Sequence, residues 1–230
     1  MLYTEHSVRD NIRNREGKRV FILGKEDRLT PGARDWLNRE RIEILDPGQA
    51  RPEEYRLLGG GVIREKPEHM THLNGDTMVP KTHPRILFRG KMDTLEAEIV
   101  LCQLKVPQFS KELGQILEFI RVLLRCDVLD APVEGQRLCG MTEQEIRLHS
   151  HRPQEFYDQP HFMPSASDGE GLLWLNRARC AAREAELSAV AAFTDREGAP
   201  TREDLLRGMN RVSSMLYILM IRKKKEECDG

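Results

Sequence analysis

The most constraining feature of this chain is the spacing of its apolar residues, which turns helical after about residue 88 and stays so to the C-terminal end. Residues that recur every three or four positions lie on one side of an α-helix. The pattern predicts five helices, at about 90–106, 110–127, 141–150, 169–194 and 202–223. Consecutive helices of this kind are typical of a helical bundle, so the expected fold class is mainly α.

The N-terminal part has a different pattern. "RVFIL" (19–23) and "IEIL" (42–45) are strand candidates, and residues 30–41 suit a helix with Thr30 as its cap and Pro31 in its first turn. Residues 47–70 contain proline and three consecutive glycines, which are typical of a linker. We therefore expect a small α/β appendage at 1–46, a linker at 47–70 and the helical-bundle domain at 71–226.

Charge and composition limit the classes of partner. The chain has 36 Lys and Arg against 37 Asp and Glu, so no overall charge favours nucleic acid or an anionic membrane, and any anion site must be local. No apolar run approaches the roughly 18 residues of a membrane span, and no signal-peptide core is present. The five cysteines are scattered without a C-x-x-C pair. These features predict a reduced, cytoplasmic protein without nucleic-acid or membrane partners.

Several charged residues share helical stripes with apolar ones. On the helix at 171–193 the stripe contains two arginines and a glutamate: Leu172, Leu175, Arg179, Arg183, Glu186, Val190 and Phe193. On the first long helix, Asp93 shares a stripe with Ala97, Val100 and Leu104, and on the last one Asn210 follows Leu206. If these stripes are packed, the charges must be paired, because an unpaired buried ion costs several kcal/mol.

Two interpretations of these charges stay open, a structural ion-pair network and a ligand site. The cations Lys81, Arg85, Arg89, Arg179 and Arg183 outnumber Asp93 and Glu186, which favours a site for an anion with several phosphates. Neither a G-x-x-x-x-G-K-[ST] loop nor a strand followed by G-x-G-x-x-G is present, so the P-loop and Rossmann solutions are excluded. Bound phosphates would have to be held by the segment before the first long helix.

Three segments resemble a known family. The family is that of the helical-bundle ATP:corrinoid adenosyltransferases, whose T-x-x-G-D, K-x-x-x-R and G-x-x-D-x-L segment is similar to "NGDTMVPKTHPRILFRGKMDTLEAEI". Their R-x-x-x-R-x-x-E helix is similar to "RARCAAREAE". Their last-helix signature, L-N-R-L-S-x-x-L-[FY], is similar to "MNRVSSMLYILMIR". The order of segments along the whole chain is most similar to the ethanolamine-utilization branch. The resemblance implies an enzyme, a transferase that moves the 5′-deoxyadenosyl group of ATP to the cobalt of reduced cob(I)alamin. The products are adenosylcobalamin, expected to serve ethanolamine ammonia-lyase, and triphosphate.

The resemblance also implies roles for individual residues. Contacts with ATP are expected from the segment before the first long helix and from two later residues, namely Asn74, Gly75, Asp76, Lys81, Arg85, Arg89, Glu186 and Asn210. Asp93 and Arg179 match a pair that meets across a subunit interface beside the active site, and Arg183 matches a residue of the nucleotide site. Phe162, in the loop before the arginine helix, is expected to displace the lower axial ligand of cobalt.

The resemblance implies cofactors and partners as well: ATP, Mg²⁺ and a corrinoid, with Glu186 a candidate group for Mg²⁺ or ribose. It further implies a homo-oligomer with its active site at the subunit interface, a reductase partner, and a place in the cytoplasm or a bacterial microcompartment. No Fe or Zn site is expected, because residues 46–70 lack cysteine and because His149 and His151 face apart on a helix. His161 is also not expected to be a metal ligand.

One departure from the family keeps an alternative open. Met78 and Val79 replace the usual further Gly and Thr of the phosphate loop. A protein with an altered loop could bind ATP or adenosylcobalamin for delivery or sensing without catalysing the transfer. The sequence therefore leaves both an enzyme and a non-catalytic binding module as candidates.

Overall fold

The chain consists of two compact units, Met1–Lys81 and Thr82–Gly230. The computed structural model describes residues 1–15, 18–50, 54–135 and 137–229. The mainly α fold class expected from the periodicity is confirmed. Within the described residues, no helix combines the length and the apolar character needed to cross a membrane.

The first unit is built from short strands and helices around a small apolar core. Its elements are β1 (Leu2–Tyr3), α1 (Glu5–Arg9), β2 (Arg13–Arg15), β3 (Lys18–Ile22), β4 (Arg28–Leu29), α2 (Pro31–Arg39), β5 (Glu43–Leu45), α3 (Pro47–Ala50), β6 (Tyr55–Leu57), β7 (Val62–Ile63), β8 (Met70–Asn74) and β9 (Thr77–Pro80). The strands form three sheets, β1-β4, β2-β3-β5 and β7-β6-β9-β8. The Thr30 hydroxyl accepts a hydrogen bond from the Ala33 N–H and caps α2, as its sequence indicates.

The segment predicted to be a linker, 47–70, differs in the structure. Strands β6 and β7 lie inside it and join β8 and β9 in the four-stranded sheet, and the first unit ends at Lys81. The glycine run forms the turn between β6 and β7, since Gly60 and Gly61 have φ of 92° and 96° and the Gly60 N–H donates to the Leu57 carbonyl. Strands of two or three residues are too short to show a periodicity, so the proline and glycine residues indicated a linker.

The second unit is a bundle of helices. Its elements are α4 (Pro84–Lys105), α5 (Ser110–Val128), α6 (Glu143–His151), α7 (Pro153–Tyr157), α8 (Gly169–Ala192) and α9 (Glu203–Asp229), with 3-10 turns at Pro107–Phe109 and Ala166–Asp168. Helix α4 begins at Pro84 instead of about residue 90, because the His83 ring nitrogen Nδ1 accepts a hydrogen bond from the Arg85 N–H and caps the helix. Histidine is a less common cap than Ser, Thr, Asp or Asn, so this start is poorly marked in the sequence.

Helices α4 and α8 are antiparallel, and three ion pairs join them in a regular register. Lys91 pairs with Glu184 at 2.8 Å, Glu98 with Arg177 at 2.7 Å, and Lys105 with Glu170 at 2.9 Å. Each helix advances by seven residues from one pair to the next, which is two helical turns. Such partly exposed pairs contribute little stability one by one, but together they favour a single register of α8 against α4.

The buried faces of α4 and α8 differ from the stripes that the sequence indicated, except at the ends of the α8 stripe, where Leu172, Leu175 and Phe193 are buried. Helix α8 buries Leu172, Leu175, Ala178, Ala182, Ala185 and Ala189, and helix α4 buries Phe88, Met92, Leu95, Ile99 and Cys102. The middle of the predicted α8 stripe is not part of the core, because Arg183 is exposed and Arg179 and Glu186 are half-buried. The packed position expected for Asp93 is wrong, since Asp93 is exposed. Apolar residues occur on two faces of both helices. Alanines make up most of the buried face of α8, whereas α4 buries larger side chains.

Candidate active site

An open cavity of about 300 Å³ lies between α6, α8, α9 and the loop that precedes α8. Polar side chains dominate its lining: Ser150, His151, His161, Arg179, Arg183, Asn210, Ser213, Ser214 and Tyr217. Three of the residues predicted from the sequence, Arg179, Arg183 and Asn210, are thus brought together in one cavity. Such a wall of hydroxyl, amide and guanidinium groups suits a polar, anionic ligand.

Helix α9 contributes a polar stripe to this cavity. Asn210, Ser213, Ser214 and Tyr217 follow the i, i+3, i+4, i+7 spacing that places them on one face of the helix. The neighbouring positions Met209, Val212 and Leu216 are fully buried. Sequence reasoning selected only Asn210 from this stripe. The signal for the others is present, since four polar or hydroxyl-bearing residues share one face of an otherwise apolar helix.

Glu186 fixes the orientation of Asn210. The Asn210 amide nitrogen Nδ2 donates a hydrogen bond to Glu186 Oε1 at 2.7 Å, and the Ser213 hydroxyl donates to Glu186 Oε2 at 3.3 Å. The carboxylate on α8 therefore holds two cavity-lining side chains of α9. Because its oxygens accept from neutral groups, Glu186 does not neutralise the arginines of its own helix.

Arg179 and Arg183 lack carboxylate partners within the described residues. Arg179 donates from Nε and Nη2 to the Asn176 side-chain oxygen, at 3.2 and 2.9 Å. Arg183 is exposed and makes no hydrogen bond or ion pair in the described part of the chain. The two guanidinium groups lie one helical turn apart. Two unneutralised positive charges in a polar cavity attract an anion with more than one charge.

Arg85 and Arg89 lie in a different environment, around Asp127 at the end of α5. Asp127 is fully buried and accepts hydrogen bonds from Arg85 Nε at 2.8 Å and from Arg89 Nε at 2.6 Å. Arg85 also donates to the Asp127 carbonyl at 2.6 Å and to Asp130 Oδ1 at 2.8 Å. Much of the positive charge of these two arginines is therefore neutralised within the chain, and their contact with ATP remains a prediction.

Sequence reasoning missed Asp127, although a signal was available. The buried face of α5 runs through Leu113, Ile116, Ile120 and Leu123, and Asp127 occupies the next position of the same stripe. A carboxylate at such a position needs cationic partners. The basic residues at the start of α4 could have been assigned to it.

The predicted phosphate turn is the end of a β-hairpin in the first unit. Asn74 pairs with Thr77 across β8 and β9, and Gly75 has a φ of 48° that suits glycine. Met78 and Val79, where the chain departs from the family, are buried strand residues with 0% and 1% exposure. Lys81 follows the strand and has an exposed side chain. The ATP contacts proposed for Asn74, Gly75, Asp76 and Lys81 stay predictions.

Two further predicted residues differ in their surroundings. Asp93 is exposed on α4 and has no hydrogen bond or ion pair within the described residues. Phe162 is partly buried, and its ring lies against that of Tyr217 with 6.2 Å between the ring centres. Phe162 therefore lies next to a wall of the cavity, whereas Asp93 is unpaired in the part of the chain that the structure describes.

The histidines near the cavity are held by tyrosines. His149 Nδ1 lies 2.9 Å from the Tyr157 hydroxyl, and His161 Nδ1 lies 2.9 Å from the Tyr217 hydroxyl. Burial raises the pKa of both tyrosines, so each hydroxyl keeps its proton at neutral pH. Among the described residues, no three His, Cys, Asp or Glu side chains lie close enough together to hold a metal ion.

Comparison with known proteins assigns the family. The family model described as cobalamin adenosyltransferase matches residues 62–223, which is more than half of the chain. The chain belongs to this family. The family expected from the three motifs is thus confirmed, and with it the enzyme class, a transferase.

Curated relatives agree over nearly the whole length of the chain. The corrinoid adenosyltransferase EutT of Salmonella typhimurium is 32% identical, with 95% of this chain and 90% of that protein covered. The protein of the same name from Escherichia coli is 29% identical with the same coverage. The match therefore includes the first unit as well as the bundle.

Two solved structures resemble the fold. Both are variants of a PduO-type ATP:corrinoid adenosyltransferase from Lactobacillus reuteri complexed with cobalamin and ATP. The TM-scores are 0.50 and 0.51 at 16% identity, over 76% of this chain and 90% and 88% of the two solved chains. At this identity the likeness supports the helical-bundle fold.

Proposed function

We propose that this cobalamin adenosyltransferase family member transfers the 5′-deoxyadenosyl group from ATP to the cobalt of reduced cob(I)alamin, giving adenosylcobalamin and triphosphate. The observation that carries the proposal is the cavity in which Arg179 and Arg183 have no carboxylate partner among the described residues, in a chain that matches the family model over 62–223. The EutT relatives are corrinoid adenosyltransferases, and the similar solved structures were complexed with cobalamin and ATP.

The reaction balances without a protein nucleophile. Cobalt(I) supplies the electron pair that forms the bond to C5′ of ATP and becomes cobalt(III). The bond between C5′ and oxygen breaks, and its electron pair leaves with the triphosphate. The protein therefore has to orient C5′ towards cobalt and to stabilise the charge that develops on the leaving group.

The residues of the cavity suit these two tasks. The guanidinium groups of Arg179 and Arg183 can donate several parallel hydrogen bonds to phosphate oxygens. Asn210, held by Glu186, offers an amide in a fixed orientation to the nucleoside or to a phosphate. A pre-oriented amide loses little entropy on binding, so it favours one position of the substrate.

The residues present suit the binding of Mg²⁺, and a complete set of protein ligands for the ion is not needed. Magnesium at nucleotide sites is held by one or two carboxylates and by the substrate phosphates. Glu186 is the carboxylate that holds the cavity wall, through Asn210 and Ser213. When bound, the ion would neutralise part of the triphosphate charge.

Arg89 retains one donor for a ligand. Its Nη2 atom is buried and has no hydrogen-bond partner among the residues that the structure describes, while its Nε atom donates to Asp127. A buried donor without a partner costs about 1–3 kcal/mol, which an acceptor oxygen would recover. We therefore keep Arg89 and its neighbour Arg85 as proposed ATP contacts, with Asp127 as the group that holds both.

A second copy of the chain would complete the site. Within the described residues, Asp93 has no hydrogen bond or ion pair, and Arg179 contacts the neutral Asn176 oxygen and the Cys180 sulfur but no carboxylate. Helices α4 and α8 also expose apolar side chains, with exposed fractions between 36% and 75%: Leu87, Val100, Leu101, Leu104, Leu173, Leu187 and Val190. These features support a homo-oligomer in which Asp93 of one protomer pairs with Arg179 of the next.

The biological setting follows from the similarity to EutT proteins and stays a prediction. We propose that the adenosylcobalamin serves ethanolamine ammonia-lyase, that a reductase supplies the reduced corrinoid, and that the protein acts in the cytoplasm or in a bacterial microcompartment.

The proposal is tested with purified protein, ATP, Mg²⁺ and chemically generated cob(I)alamin. The absorption spectrum should change to that of adenosylcobalamin at a rate that depends on the protein. Tight binding of ATP or adenosylcobalamin in calorimetry without product after hours would select the non-catalytic binding module instead.

A further inference from the structure

The loop at 158–168, which carries Phe162, is attached to α9 at two points. At the first point the ring of His161 is stacked on that of Tyr217, with ring centres 5.8 Å apart and planes at 6°. The Tyr217 hydroxyl lies 2.9 Å from His161 Nδ1. One α9 side chain thus contacts the loop both by stacking and by a hydrogen bond.

The second point lies at the end of the loop. Asp168 is 3% exposed, and one of its oxygens forms an ion pair with Lys224. Its other oxygen accepts hydrogen bonds from the Ser165 N–H at 2.5 Å and from the Ser165 hydroxyl at 3.2 Å. Lys224 follows Tyr217 by seven residues, two turns along α9, so both contacts lie on the same side of the helix.

The orientation of the His161 ring indicates which group is the donor in the hydrogen bond between His161 and Tyr217. His161 Nε2 lies 3.3 Å from the backbone carbonyl of His151, an acceptor, so the neutral form of the ring carries its proton on Nε2. Nδ1 is then an acceptor and the Tyr217 hydroxyl is the donor. A phenylalanine could stack at this position but could not donate.

The contact between His161 and Tyr217 also positions Phe162. It follows His161 directly, and its ring also lies against Tyr217, 6.2 Å between centres and at 29°. Tyr217 lines the cavity, so it links the loop to the site. Releasing His161 would free the neighbouring residue to move away from the cavity.

We propose that Tyr217 is a positioning residue whose hydroxyl, with the Asp168–Lys224 pair as second anchor, holds the 158–168 loop and its Phe162 beside the cavity. The inference rests on the proposed function only in assigning Phe162 to the corrinoid side of the reaction. The attachment of the loop to α9 stands on the geometry alone.

The test compares Tyr217→Phe with a matched control, Tyr157→Phe. The control also removes a hydroxyl that lies 2.9 Å from a histidine Nδ1, but it lies in α7, outside the loop. Hydrogen exchange of the amides at 159–167 should be about fivefold faster in Tyr217→Phe, as expected for losing one neutral hydrogen bond of about 1 kcal/mol. The control should leave these amides unchanged. Lys224→Met, which removes the other anchor, should accelerate exchange near Asp168.

Kinetics of the full-length protein separate positioning from general loss of structure. Tyr217→Phe should lower kcat about fivefold with a smaller change in KM for ATP, whereas Tyr157→Phe should keep both. Identical exchange and kcat in the two variants would overturn the proposal, as would unchanged exchange in both Tyr217→Phe and Lys224→Met. If the unmodified protein has no transferase activity, the proposed function fails, and the exchange comparison still decides whether Tyr217 anchors the loop.

Discussion

Arg89 Nε donates a hydrogen bond to Asp127 Oδ2 at 2.6 Å, which joins the first turns of α4 to the last turn of α5. Arg85 occupies the other oxygen of the same carboxylate. Both guanidinium groups are largely buried, with 16% exposure of each side chain, and Asp127 has none. The start of α4 therefore depends on one buried carboxylate.

Asp127→Asn should destabilise the second unit by about 3 kcal/mol, because it leaves two largely buried guanidinium groups without their counter-ion. Urea denaturation followed by circular dichroism measures this change. Asp130→Asn is the control, because this carboxylate also binds Arg85 but is 50% exposed, and it should cost less than about 1 kcal/mol. Equal effects of the two substitutions would contradict the role assigned to Asp127.

Much of the fold could be predicted because helical periodicity is a local property. The capping box of α6 is an example, since Thr142 and Glu145 exchange hydrogen bonds as their spacing indicates. The buried face of α8 could not be identified reliably. Its alanines are weakly apolar, whereas the stripe through Arg179, Val190 and Phe193 contains larger apolar residues.

Residues of the candidate site could be predicted from the sequence only where they belong to a recognisable motif. Arg179, Arg183 and Asn210 were selected from the sequence and lie in one cavity. The partner of Arg85 lies 42 residues away in the sequence, so local patterns do not reveal it. The pairing of Tyr217 with His161 spans 56 residues, and only the folded chain shows it.

Arg183→Ala should reduce the transfer rate about 100-fold, the effect of removing one donor to a developing negative charge, and should leave the melting temperature nearly unchanged. The side chain is exposed and has no partner within the described residues, so folding does not depend on it. Arg177→Ala is the control on the same helix, because Arg177 pairs with Glu98 and stacks on Trp174 instead of lining the cavity. A parallel loss of stability and activity in Arg183→Ala would favour a structural role.

Lowering the pH should destabilise the start of α9, because Asp204 becomes protonated. Two hydrogen bonds from Arg202 lower the pKa of this carboxyl to about 2, and the Val133 N–H donates to it as well. A carboxyl whose pKa is lower in the folded state contributes stability above its unfolded pKa of about 4, and this contribution is lost as the pH falls from about 4 to about 2. Urea midpoints across this range should fall more steeply for the unmodified protein than for Asp204→Asn. Equal slopes would contradict the assignment.

Asp93 and Arg179 should couple between protomers. Asp93→Arg and Arg179→Asp should each weaken the oligomer and lower activity, because each brings like charges together at the proposed interface. The double variant restores opposite charges and should recover assembly, measured by light scattering at several protein concentrations. A protein that is monomeric at all concentrations and fully active would contradict the shared site.

The most direct test of the central claim is the stoichiometry of the two products in a single turnover. Cob(I)alamin and ATP are mixed with excess protein, cobalt–carbon bond formation is followed by absorption, and the phosphate product is identified by phosphorus NMR. The account predicts one triphosphate for each adenosylcobalamin, formed at the same rate. Adenosylcobalamin formation without triphosphate, or no conversion of cob(I)alamin by protein that binds ATP, would contradict it.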